Sequence, residues 1–122
     1  MRREAIVGTE VGGPYSPAVV GEGRFVFVAG QGPLKDGEYV PGGIEEETRL
    51  TLENVGAVLA KAGSGFEHAV RCGVWIVSLD DLAGMNSVYQ EFFPEPRPAR
   101  ATVRADLIVG KVEIDCIALV PD

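Results

Sequence analysis

The sequence predicts an α+β domain in which two helices cover one face of a four-stranded sheet. Two observations lead to this fold class. Two stretches with helical periodicity alternate with strand-like stretches in the order β-loop-α-β-α-β-β. The chain of 122 residues also has the length of one domain, so residues 1–122 are expected to share one core.

The first third of the chain is expected to supply one strand between turn-rich segments. Residues 1–23 are rich in glycine and break at residues 12–14 and 21–23. β-Branched and aromatic residues then predict a strand over residues 24–30. Repeated glycine and proline predict a loop over residues 31–43, with a short hairpin around Asp36-Gly37.

Two helices and three strands are predicted for the rest. Residues 45–62 repeat apolar or small side chains at helical spacing, and residues 70–77 alternate as a strand does. Asp80 or Asp81 is expected to cap a second helix that ends near Phe93, ahead of a proline-rich turn. The last two strands, residues 100–107 and 111–120, are expected to be joined by a tight turn near Gly110.

The first and last of these strands are apolar on both faces, as residues 24–30 and 111–120 show. Two helices can cover only one face of a four-stranded sheet. Because large exposed apolar patches are uncommon on soluble monomers, we expect the second face to be buried against other copies of the chain.

Composition disfavours several classes of function. A net charge of −7 opposes binding to nucleic acid or to an acidic membrane surface. No apolar run is long enough to span a bilayer, and the N-terminus lacks the apolar stretch of a signal peptide. Cys72 and Cys116 lie in strand-like runs without metal-ligand or redox spacing, so we expect core thiols in a cytoplasmic protein.

Few side chains are available for chemistry. The one histidine, His68, is expected in a solvated turn, which disfavours a zinc or iron site and a Ser-His-Asp triad. The glycines of Gly21-Glu22-Gly23 precede a strand instead of following one, so they do not form a dinucleotide-binding loop. Arginine, carboxylate, tyrosine and backbone groups remain, and neither a cofactor nor a metal is expected.

Four positions combine such groups with unusual backbone. A proline-fixed turn holds Tyr15, and glycines end a strand at Gly30. Arg100 begins a strand outside the expected packed face, where it could bind a carboxylate with two prongs. Glu113 lies in an otherwise apolar strand. Each has an ordinary alternative, namely a turn aromatic for Tyr15, a surface ion pair for Arg100 and a half-exposed strand position for Glu113.

In this order and spacing, the segments resemble the RidA family, the reactive intermediate deaminases that are also called YjgF or L-PSP proteins. The resemblance runs from about residue 10 to residue 120. It rests on Gly13-Pro14-Tyr15-Ser16-Pro17-Ala18-Val19, Ala29-Gly30-Gln31, Asn54-Val55 with Leu59 and Ala62-Gly63, Asn86 and Tyr89 with Phe92-Phe93, Pro98-Ala99-Arg100, and Val112-Glu113-Ile114.

The resemblance implies a fold like that of the trimeric chorismate mutases. In such a fold each chain has a mixed sheet with two helices on one face, and three sheets pack into a central β-barrel. Active sites lie between subunits. Arg100 is implied to bind the substrate carboxylate and Glu113 to hold or activate a water. Tyr15 is implied to be a third catalytic residue, which lines the cleft and contributes its hydroxyl. The other implied site residues bind the substrate or shape the same cleft, and they are Asn86, Ala29, Gln31 and the backbone of Gly30 and Thr102.

The implied reaction is hydrolysis of a short-lived enamine or imine, such as 2-aminoacrylate, to a 2-oxo acid and ammonia. An imine is already electrophilic, so placement, water and proton transfer suffice. The chain departs from the family at Ala29, where many relatives have serine, and at Thr102, where some have cysteine. We expect activity to survive because position 102 is expected to act mainly through its backbone, so the departures bear on substrate preference.

Two other functions stay open. Some relatives carry an endoribonuclease or translation-inhibitor label, although a chain with a net charge of −7 and one turn histidine lacks a basic stripe and a paired acid and base. A non-catalytic trimer that binds small carboxylates would need the same Arg100.

Overall fold

The computed structural model describes residues 1–122 and contains eight strands and two α-helices. In chain order these are β1 (Arg2–Ile6), β2 (Ala18–Glu22), β3 (Arg24–Gln31), β4 (Leu34–Lys35), β5 (Glu38–Tyr39), α1 (Ile44–Lys61), β6 (Ala69–Ile76), α2 (Leu82–Phe92), β7 (Ala99–Arg104) and β8 (Val112–Val120).

The central sheet is mixed and has the strand order β3-β8-β6-β7. β8 runs antiparallel to both of its neighbours, whereas β6 and β7 are parallel and connect through α2. The predicted α+β class, mixed sheet and pair of helices are therefore confirmed. The tight turn between the last two strands is wrong, because β6 lies between β7 and β8 and residues 105–111 must pass the end of β6.

The glycine-rich start of the chain contains a hairpin that the sequence pattern did not predict. β1 and β2 pair antiparallel, with Arg2 opposite Glu22 and Ile6 opposite Ala18. The strand β1 is too polar to show an apolar face. Arg3 anchors it instead, because its guanidinium donates hydrogen bonds to the carbonyls of Ala69 (2.8 Å) and Pro96 (2.7 Å). The short hairpin around Asp36-Gly37 is present as β4 and β5.

Both helices pack on one face of the sheet, where the core lies. The buried stripe of α1 includes Leu52, Val55 and Leu59, and that of α2 includes Met85 and Tyr89. Cys72 and Cys116 are free thiols within this core, as expected.

The expected aspartate cap of the second helix is wrong. Asp81 makes no side-chain capping bond. A short 3₁₀ turn, Leu79–Asp81, precedes α2, and the Ser78 hydroxyl accepts a hydrogen bond from the Asp80 backbone N–H (3.2 Å). Ser78 therefore caps this 3₁₀ turn, three residues before Asp81, which occupies the N-cap position of α2 without a side-chain bond.

The other face of the sheet carries exposed apolar side chains. Phe27 is 72% exposed and Phe25 is 39% exposed, both on β3, and Val103 on β7 is also exposed. Neither helix reaches this face, in agreement with the apolar patterning on both sides of β3. We call it the open face. No helix of the structure has the length and apolar character needed to cross a membrane.

Candidate functional site

Arg100 is the second residue of β7 and lies directly after the rigid Pro98-Ala99 step. It pairs with Cys72 of the neighbouring strand β6, and its side chain points toward the same helix-covered face as that core thiol. Its guanidinium carbon lies 4.9 Å from the Tyr15 ring centre and 4.8 Å from the Tyr89 ring centre. The expectation that Arg100 lies outside the packed face is therefore wrong, because strand alternation turns it toward α2.

The Arg100 guanidinium has no protein partner for its charge. Its Nε and Nη1 atoms are buried without a hydrogen bond, and no carboxylate forms an ion pair with it. Burial lowers the pKa of Arg100, while the neighbouring Tyr89, Tyr15 and Cys72 act in the opposite direction. Arginine stays protonated under such a shift. A buried cation with open donors is therefore available to an anion.

The loop that carries Tyr15 folds over this guanidinium. The Tyr15 backbone N–H donates to the Gly13 carbonyl (2.9 Å), and the Ser16 N–H donates to the Pro98 carbonyl (3.0 Å). A Cβ atom at Gly13 would lie 3.0 Å from the Tyr15 ring and 3.3 Å from Arg100 Nη2. Glycine at this position therefore allows the loop to approach the arginine closely.

Thr102 and Asn86 also carry buried polar atoms without partners, at Oγ1 and Oδ1. Thr102 follows Arg100 by two residues on β7 and so faces the same side of the sheet. Asn86 precedes Tyr89 by one turn on α2. We call Arg100, Tyr15, Tyr89 and Thr102 the arginine half of the site.

Glu113 belongs to a different region, on the open face. It alternates along β8 with Val112 and Ile114, which are both buried in the core, and is itself half-buried. The opposing strand β3 is irregular between Val28 and Gln31. A Cβ atom at Gly30 would collide with the Glu113 carboxylate, so glycine at this position lets that carboxylate lie directly against the β3 backbone.

Gln31 and Ala29 complete this second region. The Gln31 side-chain amide donates a hydrogen bond to the Ala29 carbonyl (3.1 Å). We call Glu113, Gly30, Ala29 and Gln31 the glutamate half. Its carboxylate and its irregular backbone are suited to holding a water or a small polar group.

One chain does not bring the two halves together. Arg100 pairs with Cys72 on β6, whereas Glu113 pairs with Trp75, which is three residues further along the same strand. In addition, β6 lies between β7, which carries Arg100, and β8, which carries Glu113. Their Cα atoms are therefore offset by about 10 Å along the strands and about 10 Å across them. Their side chains also leave opposite faces of the sheet.

A surface groove of about 590 Å³ opens beside the arginine half, between residues 6–17 and the turn at residues 95–97. Tyr15 lines it, but Arg100 does not. Arg97, which also lines it, already donates hydrogen bonds to the Phe93 carbonyl (3.0 Å) and to Glu95 (3.0 Å). The groove therefore lies next to the arginine half, but the unpaired Arg100 guanidinium does not line it.

Two further residues, His68 and Tyr89, lie in places that the sequence pattern alone did not assign to the site. His68 lies in a short 3₁₀ turn, half-buried beside Glu67, with 3.2 Å between Nε2 and Oε1. Tyr89 matched the family pattern but was not expected in the site, because helical spacing placed it in the core stripe of α2. Only its contact with Arg100 across the core assigns it here. No cluster of three or more His, Cys, Asp or Glu side chains is arranged to hold a metal ion.

Comparison with known proteins gives consistent matches over nearly the whole chain. A family model described as endoribonuclease L-PSP matches residues 7–120. The mitochondrial protein mmf2 of Schizosaccharomyces pombe is 49% identical over 112 residues, covering 88% of each chain.

An enzyme and a solved structure are also similar. The 2-iminobutanoate/2-iminopropanoate deaminase of Capra hircus is 36% identical over 111 residues, covering 88% of this chain and 80% of that protein. The crystal structure of E. coli TdcF with bound serine superposes with a TM-score of 0.72 at 35% identity, covering 95% of this chain and 98% of TdcF.

Proposed function

The chain belongs to the L-PSP family, the RidA proteins, and from that premise we propose that it hydrolyses small carboxylate-bearing imines or enamines to 2-oxo acids and ammonia. A similar protein from Capra hircus is named an imine deaminase, and TdcF, which is also similar, was solved with bound serine. An imine of this class and serine share an α-carboxylate beside a nitrogen-bearing carbon.

The observation that carries the proposal is the unpaired Arg100 guanidinium. Its Nε and Nη1 atoms are buried without partners, and two tyrosine rings lie against it. A carboxylate bound at this guanidinium would supply charge-assisted hydrogen bonds and neutralise the partly buried charge. Because the substrate has one charged group, a two-pronged contact would fix most of its orientation.

The proposed reaction needs one water and no cofactor. An enamine first takes a proton from solvent at its terminal carbon and becomes the iminium form of the imine. Glu113 then removes a proton from the water as the water oxygen bonds to the imine carbon, and the C=N π pair moves onto the nitrogen, which gives a carbinolamine. Protonated Glu113 passes its proton to the amine. The C–N bond then breaks and ammonia leaves with the bonding pair, while the hydroxyl oxygen gives up its proton to Glu113 and forms the C=O bond of the 2-oxo acid. Glu113 finally releases this proton to solvent.

Such a site needs both halves, so we propose that it forms between copies in a homotrimer. The arginine half of one copy would face the glutamate half of the next. The exposed Phe25 and Phe27 support the assembly, because the open face is the apolar surface that packing around a threefold axis would bury. β7 and β3, which carry Arg100 and Gly30, are the two edge strands, so neighbouring copies can bring them together.

Mixing two inactive variants tests the shared site. Arg100→Ala lacks the anchor and Glu113→Gln lacks the proton acceptor, so each alone is expected to be slowed about a hundredfold or more. Refolding the two together in equal amounts should restore about a quarter of the wild-type activity, because every mixed cyclic trimer contains one intact junction. The measurement is release of 2-oxo acid and ammonia from imines made by an amino-acid oxidase, alongside light scattering.

Either of two outcomes would contradict this arrangement. Mixtures that stay inactive although native mass spectrometry shows mixed trimers would place Arg100 and Glu113 of the same copy in one site. A wild-type chain that remains monomeric at micromolar concentration would remove the shared site altogether.

The endoribonuclease label of the family model defines the second candidate. The net charge of −7 opposes RNA binding, and we expect no RNA cleavage by repurified protein. Cleavage that depends on Arg100 or Glu113 would favour this candidate.

A carboxylate-binding trimer without catalysis would bind 2-oxo acids and leave imine decay unchanged. The cytoplasmic location stays a prediction, and the mmf2 relative is named as mitochondrial.

A further inference from the structure

A fully buried tyrosine that the proposed reaction does not use lies directly against Arg100. Tyr89 is on α2, has no exposed surface, and its ring centre is 4.8 Å from the guanidinium carbon. Tyr15 contacts the same group at 4.9 Å, but from a half-buried glycine-rich loop. Of the two tyrosines, Tyr89 therefore offers the more rigid surface.

Neighbouring aromatic rings hold the Tyr89 ring in place. Phe93 stacks on it with ring centres 4.4 Å apart and an angle of 29° between the planes. Phe66 meets Phe93 edge-on at 5.0 Å. Since Phe93 is also fully buried, Tyr89 cannot tilt without displacing the end of α2.

Arg100 has little else to fix its orientation. Its buried Nε and Nη1 atoms have no hydrogen-bond partner, and the nearest core strand offers Cys72, a neutral thiol, instead of a carboxylate. An unsupported guanidinium would rotate toward water or toward a carbonyl. A cation over the face of a tyrosine is attracted by the ring quadrupole, and this attraction is stronger where water is excluded.

We propose that Tyr89 is a positioning residue whose ring, acting through a cation–π contact, presents the guanidinium edge of Arg100 to the substrate carboxylate. The inference rests on the proposed function, in which Arg100 is the carboxylate anchor. The Tyr89 hydroxyl makes no hydrogen bond to Arg100, so it does not hold the arginine in that way. The ring alone carries the role.

Two substitutions separate the ring from the hydroxyl, and the probe is pyruvate, a small 2-oxo acid that binds without reacting. Tyr89→Phe keeps the ring, so the dissociation constant should stay within about twofold of wild type. Tyr89→Leu keeps apolar bulk without a π face, so the constant should rise about tenfold. KM for imine should rise in parallel while kcat stays within about threefold, because the contact acts equally on bound substrate and transition state.

Phe66→Leu is the matched structural control. Phe66 belongs to the same aromatic cluster, so this substitution should lower thermal stability. Its ring meets Phe93 and Phe92 edge-on, and neither of these contacts involves Arg100. Pyruvate binding should therefore stay within about twofold of wild type, whereas a general packing defect would weaken it as Tyr89→Leu does. Titration calorimetry on each assembled variant provides the constants.

The outcomes distinguish this inference from the function on which it rests. If wild type binds pyruvate and Arg100→Ala does not, but Tyr89→Leu binds as wild type does, the positioning role is wrong and the anchor stands. If Tyr89→Phe is as weak as Tyr89→Leu, the hydroxyl is required and the inference is also overturned. If wild type neither binds pyruvate nor hydrolyses imines, the proposed function fails, and the inference fails with it.

Discussion

Glu47 and Arg100 both place charged atoms inside this protein, and their surroundings differ completely. The side chain of Glu47, on α1, has no exposed surface and accepts four hydrogen bonds. Arg100, on β7, is only partly buried, but its Nε and Nη1 atoms are buried and have no acceptor. A charge that the fold satisfies by itself therefore differs from one that the fold leaves unpaired.

The donors to Glu47 come from three separate parts of the chain. They are the Tyr39 hydroxyl (2.7 Å), the Gly42 N–H (3.2 Å), and the N–H (2.8 Å) and ammonium (3.1 Å) of Lys111. Burial acts to raise the pKa of Glu47, but these hydrogen bonds together lower it below its ordinary value. The carboxylate thus ties the start of β8 and the β5 hairpin to the first turn of α1.

The number of hydrogen-bond partners that surround each charge explains why Glu47 and Arg100 differ in role. A buried charge costs several kcal/mol unless partners replace its lost hydration. At Glu47 the chain supplies those partners itself, so the carboxylate holds the fold together. At Arg100 the chain supplies aromatic rings but no anion, so the unpaired charge lowers stability, and the carboxylate of the proposed substrate would offset this cost. The unpaired guanidinium is therefore the feature that supports a binding site at Arg100.

The largest loss of stability is expected at Glu47, whose charge is fully hydrogen-bonded. Glu47→Ala leaves two backbone N–H groups and a hydroxyl without their acceptor and removes one of the two hydrogen bonds of the Lys111 ammonium, so it should lower the free energy of unfolding by about 2–4 kcal/mol. Urea unfolding measures this loss. Glu53→Ala, an exposed glutamate on the same helix, is the control and should change stability by less than about 0.5 kcal/mol. Equal losses at both positions would refute a special role for the buried carboxylate.

The unpaired charge should show the reverse pattern, with activity lost and stability kept. Arg100→Ala removes both prongs of the proposed anchor, and each charge-assisted bond is worth about 1.5–3 kcal/mol, so kcat/KM should fall at least about a hundredfold. The melting temperature should stay near wild type or rise, because an unpaired buried cation is removed. Arg100→Lys keeps charge without the planar fork and should give intermediate activity.

An arginine from elsewhere on the surface provides the control for that loss. Arg49 lies on α1 and pairs with Glu91 at 3.1 Å, both largely exposed. Arg49→Ala should keep kcat/KM within about twofold, since exposed ion pairs contribute little. Arg100→Ala within about threefold of wild type, measured on assembled protein, would show that Arg100 is not the anchor.

The pH dependence of the free energy of unfolding should also distinguish Glu47 from Arg100, although this effect is smaller. The pKa of Glu47 is lower in the folded state, so its stabilisation is present above the ordinary glutamate range and is lost as pH falls through the folded value. The hydrogen bond to Glu47 raises the pKa of Tyr39 and also that of Lys111, so their stabilisation is lost as pH rises through the raised values. Glu47→Gln should therefore flatten both ends of the stability–pH curve, while Arg100→Ala should leave its shape unchanged. Parallel curves for wild type and Glu47→Gln would contradict the account.

The sequence predicted most elements of the central sheet, because their side chains repeat with the period of a helix or a strand. It missed the β1–β2 hairpin, which has no apolar face and is anchored by Arg3. It also joined the last two strands directly, since strand order depends on pairing between distant segments and not on local pattern.

For the candidate site, too, the sequence indicated which residues to consider, whereas the tertiary structure decided where they lie. Residue type and the family resemblance select Arg100, Tyr15 and Glu113 as candidates, because the proposed reaction needs a carboxylate anchor and a group that activates water, and these roles stay predictions. Only the tertiary structure placed Arg100 and Glu113 on opposite faces, since the face of each side chain depends on register within the sheet. Only packing brought Tyr89 against Arg100 and left the guanidinium unpaired, because contacts between a helix and an edge strand are formed through space and leave no spacing in the sequence.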